Sequence, residues 1–227
     1  MPEPATILVL GSGAGALYLR FFRNRYAEFK RAIDILLSLP ALVVALPVIA
    51  VLVLLVKLTS RGPAFYLQER VGKGGRVFRM VKLRTMTADA ESNSGPVWST
   101  HNDPRETPFG SFLRRTHLDE LPQIWNVLKG DMSLIGPRPE RPFFVEKFTR
   151  EIPGYAERLR VRPGITGWAQ VNQRYDQDLG DVRRKVAFDR EYIDLMGWAI
   201  DCRILLATAR QMLGRRGGAS GSSNPGV

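Results

Sequence analysis

Ile35-Leu36-Leu37-Ser38-Leu39-Pro40-Ala41-Leu42-Val43-Val44-Ala45-Leu46-Pro47-Val48-Ile49-Ala50-Val51-Leu52-Val53-Leu54-Leu55-Val56 is a run of 22 residues without a charge. A helix of about 20 apolar residues can cross the hydrocarbon core of a bilayer. Pro47 lies in mid-run, with Pro40 before it, and a proline there removes a backbone hydrogen bond and bends a helix. Both flanks are basic: Arg20, Arg23, Arg25, Lys30 and Arg31 before, Lys57, Arg61, Arg70 and Lys73 after. Positive charge marks the cytoplasmic side. Equal bias on both sides predicts a helix that enters, bends near Pro47 and returns to the same face. Each half would be about 16–18 Å long. A straight span and a buried core helix are the alternatives.

Outward from this run, the N-terminal side is the less legible. Ile7-Leu8-Val9-Leu10 and then Gly11-Ser12-Gly13-Ala14-Gly15-Ala16 imitate the start of a dinucleotide-binding unit. No second strand or acidic ribose partner follows where such a unit needs them. No basic segment precedes the apolar residues, so a signal peptide is not expected. Arg20 to Arg31, basic and aromatic, suits a helix lying on a membrane surface.

On the C-terminal side the chain turns polar. Phe65 to Gln68 and Val77 to Met86 read as strands around the turn Gly72-Lys73-Gly74-Gly75. Strand alternation puts Lys82 and Arg84 on one face, where two cations suit a phosphate. Thr87 to Thr107 is expected to be a long polar loop, a candidate lid. Leu118-Asp119-Glu120-Leu121-Pro122-Gln123-Ile124-Trp125 then sets two carboxylates at a helix start, since Pro122 suits a first helical turn. Free N–H groups and the dipole there are expected to keep both ionised. Arg114 and Arg115 lie just before them. In Gly136-Pro137-Arg138-Pro139, flanking prolines hold Arg138 extended and ready for a phosphate. Ile165 to Val171 reads as a strand, and Asp181–Met196 and Asp201–Leu213 as helices. The Gly/Ser-rich tail 214–227 is expected to be disordered.

Composition narrows the classes. The chain has 227 residues, 44% of them hydrophobic, and a net charge of +11. That balance points to a polyanionic partner: nucleic acid, anionic lipid or a phosphorylated substrate. No nucleic-acid signature is present, and the apolar run favours lipid. The single Cys202 excludes an internal disulfide, which fits a reducing compartment. Only His101 and His117 could supply imidazole chemistry, and His117 reads as a polar neighbour of the carboxylates.

Several long motifs occur in order: the Pro47-centred run, Gln68-Glu69-Arg70-Val71-Gly72, Lys82-Leu83-Arg84-Thr85-Met86, Leu118-Asp119-Glu120-Leu121-Pro122-Gln123, Gly130-Asp131 through Arg138-Pro139, and Arg162-Pro163-Gly164 through Gln170. Together, over about Lys30 to Leu213, the chain resembles the monotopic phosphoglycosyl transferases, or bacterial sugar transferases. The resemblance implies transfer of a sugar 1-phosphate from a nucleotide sugar, usually a UDP-sugar, to polyprenol phosphate, with UMP released. It implies Asp119 as the nucleophile of a covalent phosphosugar intermediate, with Glu120 working with Mg²⁺. It places substrate-binding roles on Lys82, Arg84, Arg114, Arg138, Gln170 and Asp189, and the membrane bend on Pro47 and Pro40. One departure is Leu46, where the family often has Ser before the proline.

The expected fold is α/β: a small sheet with surrounding helices, a re-entrant membrane helix and interfacial amphipathic helices. Residues 1–29 form an extension, 30–58 the membrane helix-break-helix, 59–213 a cytosolic catalytic domain and 214–227 a tail. The expected partners are a nucleotide sugar, polyprenyl phosphate and anionic membrane lipids at the bacterial cytoplasmic membrane. No nucleic acid is expected, and homo-oligomerisation stays open. The competing class is a catalytically idle membrane scaffold that binds polyprenyl phosphate or partner transferases.

Overall fold

The computed structural model describes residues 13–87, 90, 103–173 and 178–214. The apolar run lies inside one helix, α1 (Gly13–Thr59), whose 47 residues continue through Pro40 and Pro47. Lys30, Asp34, Ser38, Ala45, Ile49, Leu52 and Val56 recur at helical spacing and are buried. The remaining faces are bare apolar surface, with Leu36 and Val44 each 72% exposed. Such a face suits a bilayer and not the core of a soluble domain, where it would be covered. By length and composition α1 is able to cross a membrane.

Polar side chains fasten the first part of α1 to the rest. Asp201 accepts from Tyr26 Oη at 2.7 Å, from Tyr192 Oη at 2.9 Å and from Lys30. Asp34 accepts from Ser133 Oγ and Leu134 N, both at 3.0 Å. Arg31 donates to the carbonyls of Val127 at 2.5 Å and Leu128 at 2.8 Å. Those carbonyls close a short helix, whose carbonyl end favours a cation.

The expected single small sheet is corrected to two, in a chain that is mostly helical. β1 (Phe65–Val71) and β2 (Val77–Leu83) form an antiparallel hairpin with Phe65 opposite Leu83 and Val71 opposite Val77. β3 (Ser133–Ile135) and β4 (Gly164–Thr166) pair in parallel. The helices after α1 are α2 (Pro108–Thr116), α3 (Gln123–Lys129), α4 (Pro142–Glu151), α5 (Trp168–Asn172), α6 (Leu179–Leu195) and α7 (Trp198–Gly214). The strand read over Ile165–Val171 therefore stops at Thr166 and gives way to α5. Trp168 and Val171, three apart, both pack on the Ile135, Tyr192 and Ile204 cluster, which is a helical period and not an alternating one. The lid expected over 87–107 falls mainly outside the described residues. Its two ends are tied by a bridge between Met86 and Glu106. Most of the Ile7–Ala16 motif and residues 215–227 also lie outside them.

Three glycines let β3 and β4 close up. A Cβ on Gly164 would stand 2.1 Å from Gly136 N, and one on Gly167 would stand 2.2 Å from Gly136 O. Backbone, not a flexible side chain, fills that space. Gly164→Ala is expected to lower stability by about 1–3 kcal/mol or more, as overpacking does. An unchanged melting temperature in detergent would contradict this packing.

Candidate active site

α2 begins with Thr107, whose Oγ1 accepts from Gly110 N at 2.9 Å, and with Pro108 in the first turn. It ends at His117, a non-glycine residue in the left-handed region with φ 57°. His117 N turns back to Arg114 O, and the chain enters a 3₁₀ turn, Leu118–Glu120. Leu118 and Leu121 pack on the cluster of Leu52, Val56, Leu83 and Leu113. The two carboxylates thus sit in a separate tight turn, not in the first turn of α3, which Pro122 precedes as its N-cap residue.

The turn aims the two acids differently. Glu120 accepts from Lys82 Nζ at 2.7 Å and from Arg138 Nη2 at 2.6 Å, both on Oε1. Burial alone would raise its pKa, but Arg138 and Lys82 hold it well below the usual carboxylate range. Asp119, only 7% exposed, has no hydrogen bond or ion pair among the described residues. Burial pushes its pKa up to about 6, with Lys82 opposing and Glu120 adding to the rise. Of the two acids expected to be held ionised by a helix terminus, Glu120 is held so by Arg138 and Lys82 instead, and Asp119 is not. Burial outweighs what a 3₁₀ turn of three residues can offer.

Arg138 is set by two guanidinium groups, Arg158 buried and Arg70 half-buried. Arg158 Nη2 donates to Arg138 O at 2.8 Å, and Arg70 Nη1 donates to Pro139 O at 2.8 Å. Arg158 is in turn held by Asp189 at 2.8 Å and Tyr155 Oη at 2.9 Å. Glu140 accepts from Lys185 Nζ at 2.8 Å and is 3.5 Å from Arg70. The prolines beside Arg138 limit its backbone, and this network fixes its carbonyls. The Arg138 side chain stays 40% exposed, so its charge faces incoming solute.

Of the residues expected at the site, Lys82, Glu120 and Arg138 are joined directly, with Asp119 beside Glu120. Arg114 pairs with Glu106 at 2.8 Å and lies close enough to lower the Asp119 pKa slightly. Asp189 stands behind Arg138, through Arg158. Gln170 donates to Ile165 O at 2.8 Å beside β4, and no bond joins it to the dyad. Arg84 turns to Ser60 and not to Glu120. Pro40 and Pro47 are on the exposed side of α1. Arg70, Glu140, Arg158 and Lys185 had no assigned role in the sequence reading. Arg70 lies inside a quoted motif and Glu140 directly follows one, which is the local signal they carry at the site.

The arrangement offers a carboxylate without internal partners beside cations that would draw a phosphate. A carboxylate in this position acts as a nucleophile or base only in its ionised form. A step using it is expected to rise about tenfold per pH unit below the folded pKa and to level off above about 6. Lys82, Glu120, Arg138 and Arg114 are the charged groups that set this value. A pH–rate profile checks it, and a rate flat from pH 5 to 8 would contradict it.

A family profile described as bacterial sugar transferase matches residues 25–215. A Bacillus subtilis protein, provisionally named an undecaprenyl-phosphate N-acetylgalactosaminyl 1-phosphate transferase, is 54% identical over 68% of this chain and 82% of its own. A UDP-N-acetylgalactosamine-undecaprenyl-phosphate N-acetylgalactosaminephosphotransferase of Aeromonas hydrophila is 46% identical over 83% of this chain. A UDP-glucose:undecaprenyl-phosphate glucose-1-phosphate transferase of Escherichia coli is 44% identical over 79%. The chain spans 44% and 39% of the length of these last two.

Proposed function

The chain belongs to the bacterial sugar transferase family, and from that premise we propose that it transfers a sugar 1-phosphate from a UDP-sugar to polyprenol phosphate. Asp119 attacks the sugar-bearing phosphorus, the bond between the two phosphates breaks, and UMP leaves with the bridging oxygen. The phosphosugar is then an acyl phosphate on Asp119. A phosphate oxygen of the polyprenyl acceptor attacks the same phosphorus, the Asp119 carboxylate is freed, and a polyprenyl diphosphate sugar results. The observation that carries this reading is the pairing of unlike acids: Glu120 bound by Lys82 and Arg138, and Asp119 left without a partner.

The electrostatics support it. A carboxylate approaching a diphosphate meets repulsion that fixed cations offset. Lys82 and Arg138 together balance the charges of Glu120 and the ionised Asp119, so the attacking carboxylate does not add net negative charge to the site. No group of three or more His, Cys, Asp or Glu gathers among the described residues. The adjacent acids nevertheless fit Mg²⁺, which takes one or two carboxylates together with substrate phosphates. Asp119 and Glu120 would hold it, and it would supply neutralisation of the diphosphate.

The re-entrant topology is part of this proposal, and the fastening of α1 supports it. Arg31 bonds to the end of α3 and Ser60, just past α1, bonds to Arg84. Both ends of the apolar segment are thus tied to the same catalytic domain. A straight span would place them on opposite sides of a bilayer. This supports a re-entrant helix with the domain on the cytoplasmic face, as do the basic flanks.

The test is turnover. Protein in detergent with Mg²⁺, a panel of UDP-sugars and undecaprenyl phosphate is expected to release UMP and make a lipid-linked diphosphate sugar with one of them. Binding of the lipid without product from any nucleotide sugar would favour the idle scaffold.

A further inference from the structure

β2 is paired with β1 on one edge only. On its other edge Arg79 and Val81 turn their backbone groups away from β1, as alternate residues of an antiparallel pair do. One side chain meets both of them. Asn126, on α3 and only 1% exposed, accepts from Val81 N at 3.0 Å and donates to Arg79 O at 2.8 Å. A carboxamide offers an acceptor and a donor much as a peptide group does, so Asn126 stands in for a third strand.

Asn126 is itself held from behind. Its carbonyl accepts from the N–H groups of Gly130, Asp131 and Met132 at 3.1, 3.0 and 3.2 Å. Val127, the next residue, is fully buried and packs with Phe78 and Met80 of β2. That apolar packing sets how close α3 and β2 lie, but it is not directional. The two hydrogen bonds are directional, and they fix where β2 stands along its length. They end one residue before Lys82, whose Nζ is 2.7 Å from Glu120 Oε1. A lysine carries its charge on a flexible four-carbon stem. Where that charge falls therefore depends on where the strand beneath it is held.

We infer that Asn126 is a positioning residue for the transfer: by clamping Arg79 O and Val81 N it sets Lys82 against Glu120 and the phosphates of the donor. The assignment rests on the transferase reading above.

A double-mutant cycle on turnover per folded molecule tests this. Asn126→Ala is expected to lower turnover about 10–100-fold, the scale on which a misplaced group acts. Lys82→Met removes the cation itself. Added to Lys82→Met, Asn126→Ala should cost less than about twofold more, because the group it positions is already gone. A residue that serves folding alone would leave turnover per folded molecule unchanged, or would cost as much in both backgrounds. Either result would overturn the assignment. Should Asn126→Ala fail to fold, Asn126→Ser carries the cycle. Its hydroxyl, with a water in the space left, can serve the strand, so its loss should be smaller and should vanish in the same way beside Lys82→Met. Should Lys82→Met show no turnover, affinity of Asp119→Asn protein for the UDP-sugar in Mg²⁺ reads the same cycle. Each variant should weaken binding there, and the pair no more than Lys82→Met alone; additive losses would overturn the assignment. A wild type that releases no UMP from any nucleotide sugar defeats the transferase reading itself. Normal wild-type turnover with an additive cycle defeats only the assignment of Asn126.

Discussion

Asp119→Asn is expected to lower turnover by about 10⁴-fold or more, the scale on which removing a covalent nucleophile acts. An amide cannot form the acyl phosphate, and no other carboxylate among the described residues of the site is without a partner. The same substitution is expected to make the protein more stable at pH 8. The Asp119 pKa is raised from 3.8 to about 6 in the fold. A carboxyl with a raised folded pKa favours folding below its unfolded value, and that contribution is lost as pH rises through the folded value. Near pH 8 the ionised Asp119 therefore costs about 3 kcal/mol, at 1.36 kcal/mol per unit. Asparagine removes the charge and keeps the shape. At about 2–4 °C per kcal/mol for a chain of this size, the variant should melt several degrees higher at pH 8 and close to wild type at pH 4. Lost activity with lost stability at pH 8 would instead mark Asp119 as structural.

Arg158→Met is expected to cost about 3–5 kcal/mol, or on the order of ten degrees in melting temperature, because it leaves Asp189 buried without its cation. Asp189 is 1% exposed and Arg158 is 3% exposed, so neither can turn to water. Activity should fall as well, since Arg158 also holds the Arg138 carbonyl. The double variant Arg158→Met with Asp189→Leu separates the two effects. Replacing both members of a buried pair with apolar groups is often neutral, so stability should return. Turnover should stay low, because the Arg138 backbone remains unclamped. Recovery of both would mean that the pair serves folding alone.

The sequence reading named the charged residues that gather at the site better than it described their setting. The dyad, Lys82 and Arg138 come from three separate segments, and each was legible locally: adjacent acids, a strand cation and an arginine between prolines. Periodicity and punctuation marked the hairpin and the last two helices in the same way. What was not legible depends on groups distant in sequence. The Asp119 pKa follows from its burial in the folded chain, which no spacing announces. The Arg158–Asp189 pair links residues 31 apart, and the Asp201 hub links α1 with α6 and α7 across 171 residues. Ile165–Val171 misled because its β-branched and apolar residues suit a strand, while glycine packing leaves room for only three strand residues. Arg84 was placed on the same face as Lys82 by alternation, yet the strand ends at Leu83 and frees it to turn toward Ser60.

The central claim is that Asp119 becomes covalently bonded to the sugar phosphate. Intact-protein mass spectrometry in detergent, with Mg²⁺ and the UDP-sugar that supports turnover but no lipid acceptor, addresses it most directly. Wild type should gain the mass of one sugar phosphate, release UMP, and lose the adduct when polyprenyl phosphate is added. Asp119→Asn should gain nothing. An adduct on Asp119→Asn, or turnover in the wild type with no adduct under any quench, would contradict the account.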